Sequence, residues 1–453
     1  MNLKEKKVLV VGTGKSGIGA ANLLLSIGAV PVLYDEKADF DTAMLLGQLQ
    51  DATKVELITG NLSDKIISSL ELAVLSPGVP MDSEIAVKLI HSGCKIWGEI
   101  ELAYQFEKGK ILAITGTNGK TTTTTLLGKI LKDHYDSVFV VGNIGNPYTE
   151  EVLKTKEGSI TVAEISSFQL ETIEAFRPDV SAVLNLTPDH LNRHKTMEEY
   201  AKTKFQIAKN QTENEVCVLN YEDEYCRTFA KDCKARIIYF SSARRLEEGF
   251  YLEDDKIVQA DEAGSRELLS IHDMNLLGTH NVENVMAAIA MAAAFGVPME
   301  QIVETIRVFQ SVEHRIEYVA TKQGVDYYND SKGTNPDAAI RGIRAMRKPT
   351  ILLGGGYDKG SEYDEWILSF EGRVKCLVLI GQTREKIEEC ARKNGFSNIV
   401  LADTFEEAME VCVSRAVPGD AVLLSPACAS WGMFPNYEVR GNCFKEYVNR
   451  IKE

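Results

Sequence analysis

Between Ile111 and Thr125 the chain runs ILAITGTNGKTTTTT, a β-branched stretch, two glycines three residues apart, a lysine and then threonines. Such a conjunction forces a strand to end in a tight glycine loop that opens a helix, the building unit of a parallel α/β sheet. Gly116 and Gly119 free backbone N–H groups to converge on phosphate oxygens, Lys120 adds a point charge, and the Thr121 hydroxyl can ligate Mg²⁺. Glycine turns before helices are common, but this full pattern is much rarer and points to ATP. A strict G-x-x-x-x-G-K-[ST] loop would carry glycine at position 114, where this chain has Ile114, so a tighter loop of a distinct subclass is expected.

The rest of the chain repeats the strand–helix alternation. VLVV (8–11), PVLY (31–34), LAVLS (72–76), VFVV (138–141), ITVAE (160–164), SAVLNL (181–186), VCVLN (216–220), TILLGG (350–355), CLVLIG (376–381) and AVLLS (421–425) are further expected strands. They fall into three sets, 1–97, 98–311 and 312–453, consistent with two to three domains for 453 residues. The expected fold class is α/β in three domains: a Rossmann-like N-terminal domain, a central P-loop ATPase-type parallel-sheet domain and a C-terminal Rossmann-like domain.

Charge and cysteine usage narrow the partners. A net charge of −15 without a basic block repels nucleic acid and anionic lipid. Nine scattered cysteines, none spaced C-x-x-C, favour free thiols over disulfides or structural zinc. MNLKEKKVLVVG has too short an apolar run for a signal peptide, and AAIAMAAAF (287–295) is expected to be a buried helix, so a cytoplasmic protein without a membrane span is expected.

Other motifs leave more than one reading. Gly12, Gly14 and Gly17 follow a strand and open a helix, with Asp35 ending the next strand, the fingerprint of a dinucleotide site. The same helix N-terminus could hold another phosphate-bearing ligand such as a UDP-sugar. Glu164 and His190 stand at or just beyond strand ends, where a doubly wound sheet collects ligands. Alone, each is more often a solvated or satisfied residue; their shared placement after a phosphate loop favours metal and phosphate chemistry. Lys202 and Lys204 in EEYAKTKFQI sit on a mixed charged helix, where a solvated lysine is the default. Asn281 and Asn284 open a helix, as caps or adenine contacts. Arg315, then Asp330, Lys332, Thr334 and Asn335, then Lys359, then Ser430 and Tyr437 occupy polar loops after strands, together resembling one ligand-facing edge.

TGTNGKTTT, EISSFQLE, LNLTPDHLNRH, HNVENVMAA, HRIE, NDSKGTNPDA, GGGYDKG and LLSPACASWGMFPNYEVRGN together resemble, in order and over nearly the whole chain, the blocks of the Mur ligase family. The D-glutamate-adding branch is the most similar. The resemblance implies an ATP-dependent amide ligase of peptidoglycan synthesis that works through an acyl phosphate on UDP-N-acetylmuramoyl-L-alanine. It implies that Gly116, Thr117, Asn118, Gly119, Lys120, Thr121 and Thr122 wrap the ATP phosphates, with Asn284, Arg315 and Asp330 at adenine and ribose and Lys332 facing phosphate. Thr121 and Glu164 are implied ligands of one Mg²⁺; His190, with Lys204 carried as a carbamate, belongs to a second. Lys15, Ser16, Asp35, Glu36, Lys37, Gly78, Asn143 and Ser166 are the implied contacts of the UDP-linked substrate, and Thr334, Lys359, Ser430 and Tyr437 those of D-glutamate. The implied protein is a monomer whose third domain closes on the second during turnover. A sister ligase for another amino acid, a folylpolyglutamate synthase-like ligase, and an NAD-dependent dehydrogenase are the competing readings.

Overall fold

The computed structural model describes residues 2–37, 42–310 and 312–452; Ser311, the expected end of the second set, lies outside them, as do the terminal residues Met1 and Glu453. The first five strands, β1 (Lys7–Val11), β2 (Val30–Asp35), β3 (Glu56–Thr59), β4 (Leu72–Leu75) and β5 (Lys95–Gly98), form a parallel sheet in the order 3-2-1-4-5. Strand order reverses between β1 and β4, so the turn after β1 and the loop after β4 open a crevice at the carboxyl edge. Lys15, Ser16 and Gly78 lie on these two segments.

A nine-stranded sheet follows: β6 (Lys110–Thr115), β7 (Val138–Gly142), β8 (Ile160–Glu164), β9 (Val180–Val183), β10 (Val216–Asn220), β11 (Arg236–Ser241), β12 (Gly249–Glu253), β13 (Lys256–Asp261) and β14 (Gly264–Ser270), ordered 14-13-12-11-10-9-6-8-7. From β7 through β12 the neighbours are parallel; β12–β14 form an antiparallel meander at one side. Because β6 lies between β8 and β9, the segments leaving all three strands converge. The expected strand 181–186 stops at Val183, and Leu184–Leu186 instead brace the phosphate loop.

The third sheet contains β15 (Glu317–Lys322), β16 (Val325–Asn329), β17 (Thr350–Gly355), β18 (Val374–Ile380), β19 (Ile399–Leu401) and β20 (Ala421–Leu424), ordered 15-16-20-17-18-19. Only β15 is antiparallel. Loops leaving β16, β17 and β20 therefore share one edge, which collects Asp330 to Asn335, Lys359 and Ser430.

By contacts the chain divides into two compact units: Met1–Ile271 with Glu283–Ile306, and His272–Val282 with Arg307–Glu453. The first two sheets belong to one unit because a single apolar core runs through both, including Val8, Leu24, Trp97, Ile100, Ile111, Tyr148 and Phe176. Polar fastening supports it: the Glu101 carboxylate, fully buried, accepts N–H bonds from Glu174, Ala175 and Phe176 at 2.8–3.0 Å. In the second unit the two faces of the third sheet carry separate cores around Trp366 and Phe444. The alanine-rich run is buried within the helix Thr279–Phe295, as expected, and among the described residues no helix is long and apolar enough to cross a membrane.

The glycines of the first turn serve different ends. A Cβ on Gly17 would lie 1.9 Å from the Gly12 carbonyl oxygen, whereas one on Gly14, an exposed residue, would meet nothing within 4 Å. G17A should lower the unfolding free energy by about 1–3 kcal/mol in a urea titration through overpacking. G14A should cost no more than about 1 kcal/mol, the difference between glycine and alanine at a helix N-cap.

Candidate functional site

The phosphate loop is held from below and beside. Gly116 and Gly119 have φ of 147° and 85°, conformations that favour glycine. A Cβ on Gly119 would sit 2.0 Å from Asn284 Oδ1, so Asn284 packs directly against the loop. The segment after β9 straps it: Asn118 N–H donates to Asn185 Oδ1 (2.9 Å), Asn185 Nδ2 donates back to the Asn118 carbonyl (3.1 Å), and Thr187 N–H donates to Thr117 Oγ1 (3.0 Å). The Tyr200 hydroxyl lies 3.1 Å from the same Thr117 oxygen. Thr121 and Thr122, both buried, begin the helix Lys120–Lys132, whose N-terminal N–H groups face the loop.

Two lysines share one acceptor. Lys120 Nζ donates to the carbonyls of Gly116 and Thr117 at 2.9 Å, and Lys204 Nζ donates to the same Gly116 oxygen at 2.9 Å. Lys204 is 2 % exposed, and burial together with the nearby Lys120 charge holds its amine well below the ordinary lysine value. Lys202, two residues away, is 71 % exposed at its side chain and lies 3.7 Å from Glu199. The helix Met197–Phe205 thus turns one lysine inward and leaves the other in water.

Glu164 ends β8 buried beside this pair. Its Oε1 accepts from Asn143 Nδ2 at 2.8 Å, while its Oε2, also buried, has no hydrogen-bond partner. An uncompensated buried carboxylate oxygen is costly unless a cation meets it, so the residues present fit a divalent metal ion. His190 adopts a left-handed backbone (φ 53°) before the short helix Leu191–His194, with its half-exposed Nε2 3.5 Å from Asp189 Oδ2. Asp189, whose charge also acts on Lys204, was absent from the sequence expectation although it directly precedes His190 in TPDH.

The glycine turn of the first sheet meets this region. Lys15 Nζ donates to the Gly145 carbonyl, in the turn that carries Asn143. Asn143 N–H donates to the Glu164 carbonyl at 2.8 Å. Ser166 caps the helix Ser167–Leu170 through a reciprocal bond set with Gln169. Gln169 Nε2 in turn donates to the buried Glu99. Asp35 is largely engaged by its own turn: its Oδ2 accepts from Thr13 N–H (3.1 Å) and Oγ1 (2.7 Å), and its Oδ1 from Lys37 N–H (3.1 Å). Glu36 and Lys37 follow it at the strand end, and Gly78 lies in the loop across the crevice.

In the second unit, Asp330 is fully buried and burial pushes its carboxyl up to about 7, against the opposing pull of Ser425, Arg315 and Arg440. Ser425 Oγ donates to its Oδ2 at 2.7 Å and Ile316 N–H to its Oδ1 at 3.3 Å. Lys332 Nζ stands 5.2 Å above the Tyr437 ring and Lys359 Nζ 4.7 Å above the Trp431 ring. Thr334 N–H donates to the Lys332 carbonyl, Asn335 caps the helix Pro336–Ala345, and Ser430 is buried where Tyr357 bridges Ala429. Buried Arg440, which the sequence reading passed over, ties Ser331 and the Cys428 carbonyl together and fixes the loops from β16 and β20. Asn281 donates to the Leu277 carbonyl at 2.7 Å and so serves the start of its own helix.

Known proteins resemble this chain along nearly its whole length. Residues 6–98 match the Mur ligase MurD-like N-terminal domain, 114–292 the Mur ligase middle domain, and 314–428 the Mur ligase glutamate ligase domain. A protein of Lachnospira eligens named UDP-N-acetylmuramoylalanine–D-glutamate ligase is 57 % identical over 451 residues, covering 100 % of both chains. Proteins of the same name from Lachnoclostridium phytofermentans and Clostridioides difficile are 55 % and 45 % identical, again over 100 % of each chain. Among solved structures, a UDP-N-acetylmuramate–alanine ligase from Thermotoga maritima shares the fold with a TM-score of 0.62 at 18 % identity, covering 98 % of this chain and 100 % of its own.

The buried Asp330 makes stability depend on pH with a definite sign. A carboxyl raised from 3.8 to about 7 binds its proton more tightly in the folded chain. Its favourable contribution is complete below the unfolded value and is lost as pH rises through about 7. The melting temperature of D330N relative to wild type should therefore climb between pH 4 and pH 8, as read by calorimetry; a flat difference would contradict this assignment.

Proposed function

The chain belongs to the Mur ligase family, and from that premise we propose that it joins D-glutamate to the L-alanine carboxylate of UDP-N-acetylmuramoyl-L-alanine, driven by ATP, in peptidoglycan synthesis. The observation that carries the chemistry is the pair of lysines, half-buried Lys120 and buried Lys204, on one loop carbonyl, together with a buried Glu164 oxygen that has no hydrogen-bond partner among the described residues. The three relatives named above that are 45–57 % identical over their whole length bear the same ligase name, which supports D-glutamate as the amino acid.

A carboxylate is a poor electrophile, so it must first be made an acyl phosphate. The alanine carboxylate oxygen attacks the γ-phosphorus, the bond to the β-bridging oxygen breaks, and ADP departs. The D-glutamate nitrogen then adds to the acyl carbon, loses a proton, and the tetrahedral adduct expels phosphate to leave the amide. Little covalent work falls to the protein; its part is placement and charge neutralisation.

Gly116 to Thr122 wrap the phosphates, and Lys120 neutralises the γ-group. Thr121 and Glu164 would hold one Mg²⁺ and His190 a second, and the ions when bound would offset phosphate charge. Lys204 is suited to become a carbamate. Its depressed basicity leaves a neutral amine that can add CO₂ and lose a proton, turning a cation into a two-oxygen anion suited to a divalent ion. Lys15, Ser16, Glu36, Lys37, Gly78, Asn143 and Ser166 hold the UDP-linked substrate. Asp35, with its oxygens already engaged, shapes that turn from within. Asn284, Arg315, Asp330 and Lys332 serve the nucleotide, and Thr334, Lys359, Ser430 and Tyr437 the amino acid. The substrates are small and soluble, the protein is cytoplasmic, and it acts as a monomer.

Phosphate release measured with D-glutamate, L-alanine, L-lysine and L-glutamate in turn should occur with D-glutamate alone; release with a different amino acid, or with none, refutes the assignment. K204A should lose about 100-fold or more in turnover, the scale of removing one key charge-stabilising group. Acetate or another short carboxylate should restore part of the loss, whereas full activity in K204A would remove the carbamate.

A further inference from the structure

Arg193 lies in the LNRH segment and has no part in the phosphate chemistry, yet it is largely buried and makes four side-chain hydrogen bonds. Its Nη1 donates to the Pro77 carbonyl at 2.8 Å and its Nη2 to the Val79 carbonyl at 3.1 Å. These two carbonyls flank Gly78 in the loop after β4. On the other side Nε donates to Glu171 Oε1 at 3.0 Å and Nη2 to Glu171 Oε2, a two-pronged carboxylate pair. The guanidinium carbon stands 4.3 Å above the Phe168 ring, and the His190 ring lies 4.8 Å from that ring between centroids. Arg193 N–H also donates to the His190 carbonyl at 2.9 Å, so the two residues occupy one rigid turn. His194 completes the stack against Phe168 and bonds Ser167 Oγ at 3.0 Å.

We propose that Arg193 is a positioning residue that fixes the Gly78 loop of the first sheet against the turn carrying His190, and so sets where the UDP-linked substrate presents its carboxylate. The inference rests on the reading of Gly78 as a contact of that substrate. Its physical basis is the planar fork: one guanidinium satisfies two backbone carbonyls of a loop that has no helix or strand to hold it, while Glu171 neutralises the charge. The Pro77 carbonyl would otherwise be free to turn toward water, and the Gly78 N–H of the same peptide would turn with it, while Val79 N–H stays on the Ser76 carbonyl. A lysine fills similar length and carries the same charge, but as a single point it cannot bridge Pro77 and Val79 while pairing Glu171.

The test compares R193K and E171Q with the wild-type enzyme in the full ligase assay, with melting temperatures recorded for all three. R193K should raise the KM for UDP-N-acetylmuramoyl-L-alanine about tenfold and lower kcat, since small misplacements of a reacting group carry large rate effects. The KM for D-glutamate, whose residues lie in the other unit, should stay within about twofold. E171Q keeps the shape and the acceptor and should shift the same constant in the same direction by a smaller factor. An R193K enzyme that melts earlier but keeps the wild-type KM has lost packing only and overturns the proposal; so does an equal rise in KM for both substrates. A wild-type enzyme that does not turn over the UDP-linked substrate sinks the reading of the site and the clasp together, while an active wild type with kinetically unchanged variants sinks the clasp alone.

Discussion

Two lysine side chains, buried Lys204 and half-buried Lys120, donate to one oxygen, the carbonyl of Gly116. At an effective dielectric of about 20, two ammonium charges about 5 Å apart repel by about 3 kcal/mol. The positive end of the Lys120–Lys132 helix adds to it. One of the two must shed its proton or be met by anions. Lys204 is the deeper, and burial already disfavours its charged form. Lys120, the shallower of the two, donates to the carbonyls of Gly116 and Thr117. The loop therefore carries a demand for negative charge, which the Asp189 and Glu164 carboxylates meet in part, and one buried Glu164 oxygen has no hydrogen-bond partner among the described residues.

That demand would be of little use if the carboxylate substrate arrived out of line. The first two sheets share a core and are joined by polar fasteners: Glu101 on three backbone N–H groups, Trp97 on Glu174, and Glu99 on Gln169. Gln169 leads on to Ser166 at the edge of the second sheet. Rigidity here has a catalytic meaning, because acyl transfer depends on holding the carboxylate within reach of the γ-phosphorus.

What could be read from sequence follows what physics makes local. Central parallel strands are apolar throughout, and the runs at Val8, Ile111, Ile160, Val216, Thr350 and Ala421 announced themselves. Edge and meander strands did not: GSRELLS at β14 and IVL at β19 are short or polar, held by neighbours and not by composition. The phosphate loop was legible because its glycines and lysine are adjacent in sequence. The inward turn of Lys204 was not, since Lys202 and Lys204 look alike until the helix is docked. Arg440 and Arg193 were invisible for a related reason: each ties loops 12 to 116 residues away, and no local spacing records that.

Asp35 shows how geometry separates two readings that sequence left level. A dinucleotide site uses the carboxylate after the second strand to accept from both hydroxyls of a ribose. Here Oδ2 already takes two donors from Thr13 and Oδ1 takes one from Lys37, which leaves a single lone-pair position where two are needed. The same three bonds hold the glycine turn open, with Gly17 pressed against the Gly12 carbonyl so that the helix begins at the turn itself. The helix N-terminus is thus presented to a phosphate-bearing ligand while the ribose clamp of a dehydrogenase is spent on the backbone. A turn of this build fits the diphosphate of a UDP-linked substrate, and it does so one loop away from the Arg193-held Gly78 across the crevice.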